Sequence, residues 1–168
     1  YTGEISAPML KDKDCTFCLV GHSERRQIFG ETNKDIFLKI ENLINSDINP
    51  IVCVGETLNE KKQGQTNQSL KEQITKSLPK HSSKNSIILA YEPIWAIGSG
   101  LTPSLEEIDK IYYFIKNEIK GFENFKILYG GSVKSSNSKD ILNLKNVDGL
   151  LVGGASLEAI EFIKILKS

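Results

Sequence analysis

Five short apolar runs punctuate the chain: Phe17 to Val20, Ile51 to Val54, Ile87 to Tyr91, Ile127 to Tyr129 and Gly149 to Val152. They are rich in Val, Ile or Leu, bounded by Gly, Pro or Asn, and continuous rather than alternating, the pattern of strands covered on both faces in a parallel sheet. Between them the spacing is helical. Ile36, Ile40 and Ile44 recur every four residues, with Phe37 and Leu43 widening the stripe, and Leu70, Ile74 and Leu78 repeat that pattern. Ile108, Ile111, Tyr112, Ile115 and Ile119 form the clearest stripe, opened by a capping box of Ser104 and Glu107. Ile141 and Leu144 mark a shorter helix, and Leu157, Ile160, Ile163 and Leu166 predict a closing one. A strand followed by a helix, five times over, calls for a parallel sheet with right-handed crossovers. A period of about 35 residues suits a (β/α) barrel or a doubly wound sheet. The opening residues read as loop, and a start at Tyr1 without Met is expected of a piece of something longer.

Composition narrows the function. With 39% hydrophobic and 25% charged residues the 168-residue chain reads as one ordinary globular domain. Lys plus Arg and Asp plus Glu both number 21. That balance gives no electrostatic reason to expect a nucleic-acid or membrane partner, so an anionic ligand would be held by local groups. Cys15, Cys18 and Cys53 are odd in number and lack zinc-like spacing, so neither a metal site nor a disulfide framework is expected. No stretch is apolar enough to span a bilayer and no leader opens the chain, so a reducing cytoplasm is the expected setting.

In parallel α/β folds chemistry collects where strands exit. The first run leads into Gly21-His22-Ser23-Glu24-Arg25-Arg26, where His22 could serve as an acid, a metal ligand or a structural hydrogen-bonder. His81 reads as solvated loop. Gly55 and Glu56 follow the second run and, taken alone, read as a turn and a surface carboxylate. Glu92 ends the third run, where desolvation would raise its pKa and make it a better base near neutrality. Beyond it, Pro93 to Pro103 carries Ile94, Trp95, Ala96 and Ile97 with two glycines, the make-up of either a closing lid or a packed loop. Gly130-Gly131-Ser132 and Gly153-Gly154 follow the last two runs, where paired glycines let backbone N–H groups approach an anion. A desolvated base, a strand-end His, a lid and an uncharged anion cradle together point to proton transfer on a small phosphorylated substrate.

These segments resemble the triosephosphate isomerase family in order and along the whole chain. The resemblance rests on Tyr1–Glu4, Gly21–Arg26, Cys53–Glu56, Ala90–Gly100, Tyr129–Val133 and Asp148–Leu157. It implies a TIM (β/α)8 barrel, here incomplete, as one partial domain over residues 1–168 that runs from the loop after the third strand through the C-terminal helix. It implies Glu92 as the base that moves a proton between C1 and C2. It implies His22 as the neutral electrophile, kept as imidazole by the helix N-terminus against it. Gly98, Ser132, Gly153 and Gly154 would bind the phosphate, Pro93 to Leu101 would be the lid, and Glu24, Cys53 and Glu56 would support the site from behind. No cofactor is implied, and Tyr1–Glu4 resembles a loop that inserts into the neighbouring subunit of a homodimer.

The chain departs from the family in two ways. The first three strands, about 80 residues of a typical barrel of about 250, are absent. With them goes the Asn-x-Lys whose Lys pairs with substrate charge; Asn124-Phe125-Lys126 repeats its letters but precedes a strand. The lid is followed by Pro103, which has no N–H to lock it. Read literally, the chain would be a non-catalytic fragment or interaction module. A different phosphate-binding barrel is a third reading.

Overall fold

Five strands make one parallel sheet in the order of the chain: β1 (Phe17–Val20), β2 (Asn49–Val54), β3 (Ile88–Tyr91), β4 (Lys126–Tyr129) and β5 (Gly149–Leu150). The structure is a computed structural model that describes residues 2–79, 87–97, 99, 101–119, 121 and 125–168. His81, Gly98, Gly100 and Asn124 lie outside the described residues. Eight helices are described: α1 (Ala7–Lys11), α2 (Ser23–Ile28), α3 (Asn33–Ile44), α4 (Leu58–Lys62), α5 (Thr66–Ser77), α6 (Leu105–Glu118), α7 (Ser138–Leu142) and α8 (Ala159–Leu166).

Local chemistry sets where these helices start. Thr32 with Asp35, Thr57 with Glu60 and Ser104 with Glu107 form reciprocal capping boxes at α3, α4 and α6. The opening residues are not all loop. Ser6 caps α1 by accepting from the Met9 N–H, and Pro8 lies in the first turn, where its missing N–H costs nothing. A five-residue helix is too short for periodicity to reveal, and the same holds for α2 and α4.

The core forms where strand residues such as Leu89, Tyr91, Ile127 and Tyr129 meet Ile36, Ile40, Leu70, Ile74, Ile108, Tyr112 and Ile115. Two elements differ from the sequence reading. In β1, Phe17 and Leu19 are exposed because no strand is paired on that side and the inner face of the sheet is open there. In α8 the predicted stripe faces solvent, with Leu157 just before it 85% exposed, and Ile165 is the residue that packs. Glu161 and Lys164 share one face of α8, and the apolar remainder is only partly covered beside β5, the last strand of the sheet.

Register decides what stands beside what at the strand exits. Val54 pairs with Tyr91, Tyr91 with Tyr129, and Tyr129 with Leu150. The ladder runs one residue further. Glu92 N–H donates to Val54 O, Gly130 N–H to Tyr91 O and Leu151 N–H to Tyr129 O, each at 2.8 Å. Glu92, Gly130 and Leu151 are therefore side by side on one rim.

Candidate functional site

Two titratable side chains meet at that rim. Glu92, only 4% exposed, extends from the end of β3, and His22 turns the exit of β1 into α2. His22 Nε2 lies 3.5 Å from Glu92 Oε1. His22 Nδ1 accepts from the backbone N–H of Glu24 at 3.3 Å. An accepting Nδ1 carries no proton, so the neutral ring bears its proton on Nε2, the nitrogen turned toward Glu92. Glu24 thus acts through its backbone, and its side chain is exposed.

Burial pushes the Glu92 carboxyl above its usual range. His22, the Cys53 thiol, the Ser23 backbone and the Arg26 guanidinium offset this in part. Even so, Glu92 Oε2 is buried without a hydrogen-bond partner among the described residues. A buried carboxylate oxygen left unpaired is costly, and such exceptions collect where chemistry is done. Cys53 lies behind Glu92. Burial beside that carboxylate pushes its thiol far up, so it stays neutral and is no nucleophile.

The rim excludes side chains where Glu92 needs room. A Cβ on Gly55 would stand 1.7 Å from Glu92 O, and one on Gly130 would stand 2.8 Å from Glu92 Cγ. Half-buried Arg26 holds the frame together by donating to Gly21 O at 2.8 Å, to Asn33 Oδ1 at 2.8 Å and to Cys53 O at 3.3 Å. It ties the exits of β1 and β2 to the start of α3.

Glu56 is not on the surface. At 1% exposure it accepts from Trp95 Nε1 at 2.8 Å and from the Tyr91 hydroxyl at 3.1 Å. Burial pushes its carboxyl up, and these donors pull it partly back. Local sequence cannot show this, because Trp95 is 39 residues away and closes over Glu56 only in the fold. Ile94–Ala96 form one 3₁₀ turn, and the Ser132 hydroxyl donates to Ala96 O at 2.6 Å. The start of the lid segment is thereby joined to the loop after β4.

His22 and Glu92 open on a cavity of about 490 Å³ that is also lined by Ile97, Ser132, Gly153 and Gly154. A Cβ on either Gly153 or Gly154 would meet nothing within 4 Å, so both border open space. Of the nine site residues expected from sequence, His22, Glu92, Ser132, Gly153 and Gly154 line this cavity, while the Glu24 backbone donates to His22, Cys53 stands beside Glu92 and Glu56 accepts from Trp95. Gly98 lies outside the described residues. The sequence reading took Gly130 as part of an anion cradle, whereas its place is against Glu92 Cγ, and it gave Arg26 and Tyr91 no role of their own. Lys126 begins β4, at the end of the sheet away from the site. Among the described residues no cluster of His, Cys, Asp or Glu could hold a metal ion.

Comparison with known proteins gives one consistent picture. The family model described as triosephosphate isomerase matches residues 1–168. A triosephosphate isomerase of Francisella tularensis subsp. mediasiatica is 47% identical over 173 residues, covering 99% of this chain and 68% of the relative. One from Chlorobium luteolum is 41% identical over 174 residues, covering 100% of this chain and 70% of that protein. The crystal structure of triosephosphate isomerase from Bartonella henselae superposes with a TM-score of 0.90 at 35% identity, covering 99% of this chain and 69% of that one. The five strands and their helices are thus part of a TIM barrel. The chain belongs to the triosephosphate isomerase family.

Proposed function

We propose that Glu92 and His22 interconvert dihydroxyacetone phosphate and D-glyceraldehyde 3-phosphate through an enediolate, in glycolysis and gluconeogenesis. The observation that carries this reading is a buried carboxylate with one unpaired oxygen, 3.5 Å from the Nε2 of an imidazole whose Nδ1 accepts from a backbone N–H. Glu92 takes a proton from C1 of dihydroxyacetone phosphate. His22 Nε2–H hydrogen-bonds the carbonyl oxygen where negative charge develops and relays a proton between the two oxygens. Glu92 then returns its proton to C2. Ser132, Gly153 and Gly154 hold the phosphate with neutral donors, joined by Gly98. Closure of the Pro93–Leu101 segment keeps water from the enediolate and prevents loss of phosphate. Behind them, Glu24 orients His22, Cys53 packs behind Glu92, and Glu56 holds Trp95.

The same reading completes the barrel with strands that precede β1 and forms a homodimer through the Tyr1–Glu4 loop. Ile5, Met9, Ile28 and Phe29 supply exposed apolar surface on the neighbouring elements. The cytoplasm suits three free thiols. No helix among the described residues is long and apolar enough to cross a membrane.

The direct test is isomerisation of dihydroxyacetone phosphate by the full-length protein, followed with a coupled dehydrogenase as pH is varied. A base works only when ionised, so kcat/KM falls as pH drops through the Glu92 pKa. Burial raises that pKa, so the acid limb is expected above the ordinary glutamate value of about 4.3. A limb at or below that value contradicts the assignment.

Gly130→Ala tests the rim. The added methyl meets Glu92 Cγ at 2.8 Å and pushes the carboxylate aside. The expected loss in kcat is roughly tenfold with little change in thermal midpoint, since displacement by a fraction of an ångström is costly to a reacting group. Unchanged steady-state kinetics would show that the site absorbs the methyl.

A further inference from the structure

We propose that Lys61 is a positioning residue for the lid: it pins Trp95 at the lid's entrance and, through Glu107, ties that entrance to the helix into which the lid runs. The proposal rests on the reading of Pro93 to Leu101 as the lid of an isomerase site.

Lys61 Nζ stands 3.6 Å from the centroid of the Trp95 ring, on its face. The same ammonium lies 3.0 Å from Glu107 Oε1. Trp95 is thus held twice, its N–H edge by Glu56 and its face by Lys61. Indole is the ring that attracts a cation most strongly.

Each partner of Lys61 is itself fixed. Glu107 Oε2 accepts from the Ser104 backbone N–H at 2.8 Å, which closes the capping box of α6. Lys61 lies on α4, where Glu60 accepts from the Thr57 N–H at 2.7 Å and from the Ser69 hydroxyl at 2.7 Å. One cation therefore joins α4, the first turn of the lid and the N-terminus of α6, the helix that follows the lid.

An exposed ion pair of this kind contributes little to stability by itself. Its consequence is geometric. Trp95 is three residues past Glu92 and next to Ala96, whose carbonyl accepts from Ser132. A loosened indole lets the lid open more often while the enediolate is bound, and the phosphate is lost.

The test uses full-length protein labelled with 5-fluorotryptophan. The Trp95 fluorine resonance is the one lost in Trp95→Phe. Lys61→Met keeps most of the stem and removes the charge. It is expected to broaden or shift the Trp95 resonance and to raise inorganic phosphate released per isomerisation roughly two- to fivefold, with the thermal midpoint unmoved. Lys61→Arg is expected to restore both. Either readout unchanged in Lys61→Met, or no rescue by Arg, overturns the proposal. Absence of isomerase turnover in the parent protein overturns the reading of the site and the lid proposal with it. Turnover in the parent with an unaffected Lys61→Met overturns the lid proposal alone.

Discussion

Glu92→Asp is expected to lower kcat on the order of 100-fold while the protein folds normally. Removing one methylene draws the carboxylate back by about 1 Å, and misplacement on that scale costs a reaction of this kind about two orders of magnitude. The fold offers little means of recovery. The Glu92 backbone is fixed by its 2.8 Å hydrogen bond to Val54 O and by the close approach of Gly55 to its carbonyl. The strand cannot slide forward, because β3 is paired in register with β2 on one side and β4 on the other. Substrate binding should suffer much less, since the phosphate is assigned to Ser132, Gly153 and Gly154, which Asp leaves untouched. The loss therefore falls on kcat rather than KM. Folding should be spared because Asp keeps the carboxylate and Oε2 has no hydrogen bond to lose. Steady-state kinetics and thermal unfolding of the two proteins decide the matter. Near-parental turnover in the Asp variant would remove Glu92 from the role of base.

Glu92 and His22 were legible because strand exits of a parallel sheet are where side chains leave a buried run and meet an opening, and both stand one or two residues past such a run. Pairing across the sheet then brings together residues 70 apart in sequence. The capping box at Ser104 was legible for a similar reason, since its two partners are three residues apart. Taken alone, Glu56 read as a surface carboxylate, and only the family resemblance put it behind the site, because its burial depends on Trp95 and Tyr91, which reach it only through the sheet and the turn after β3. The contact of Lys61 with Trp95 has the same origin and leaves no local trace. For α8 the stripe itself was legible, but not that its apolar positions would stand open beside β5, the last strand of the sheet.

The second large effect concerns the 168 residues by themselves. Expressed alone, they are expected to show isomerase turnover at least about 100-fold below that of a full-length form, with no sharp thermal transition. β1 is an edge strand that itself carries exposed Phe17 and Leu19, and the other end of the unit exposes Leu157, Ile160 and Leu166. Open edges and apolar faces of this kind are templates for association. A barrel fills its interior with layers of side chains drawn from strands all around the ring, and five strands cannot complete those layers. Leu19, which lines the cavity of His22 and Glu92, is exposed on that account. The chemistry is weakened as well. Charge on the enediolate and phosphate would be met by neutral donors and one imidazole, without the Lys that the family supplies from its first strand, and electrostatic terms of that sort are commonly the largest in such a site. His22 suffers most directly, because β1, which carries it, has a neighbour on one side only. A coupled assay, circular dichroism on heating and light scattering would test all three consequences together. Substantial turnover by a monodisperse 168-residue species would show that β1 needs no second neighbour to hold His22 against Glu92, and the barrel-completing strands would have to be dropped from the functional reading.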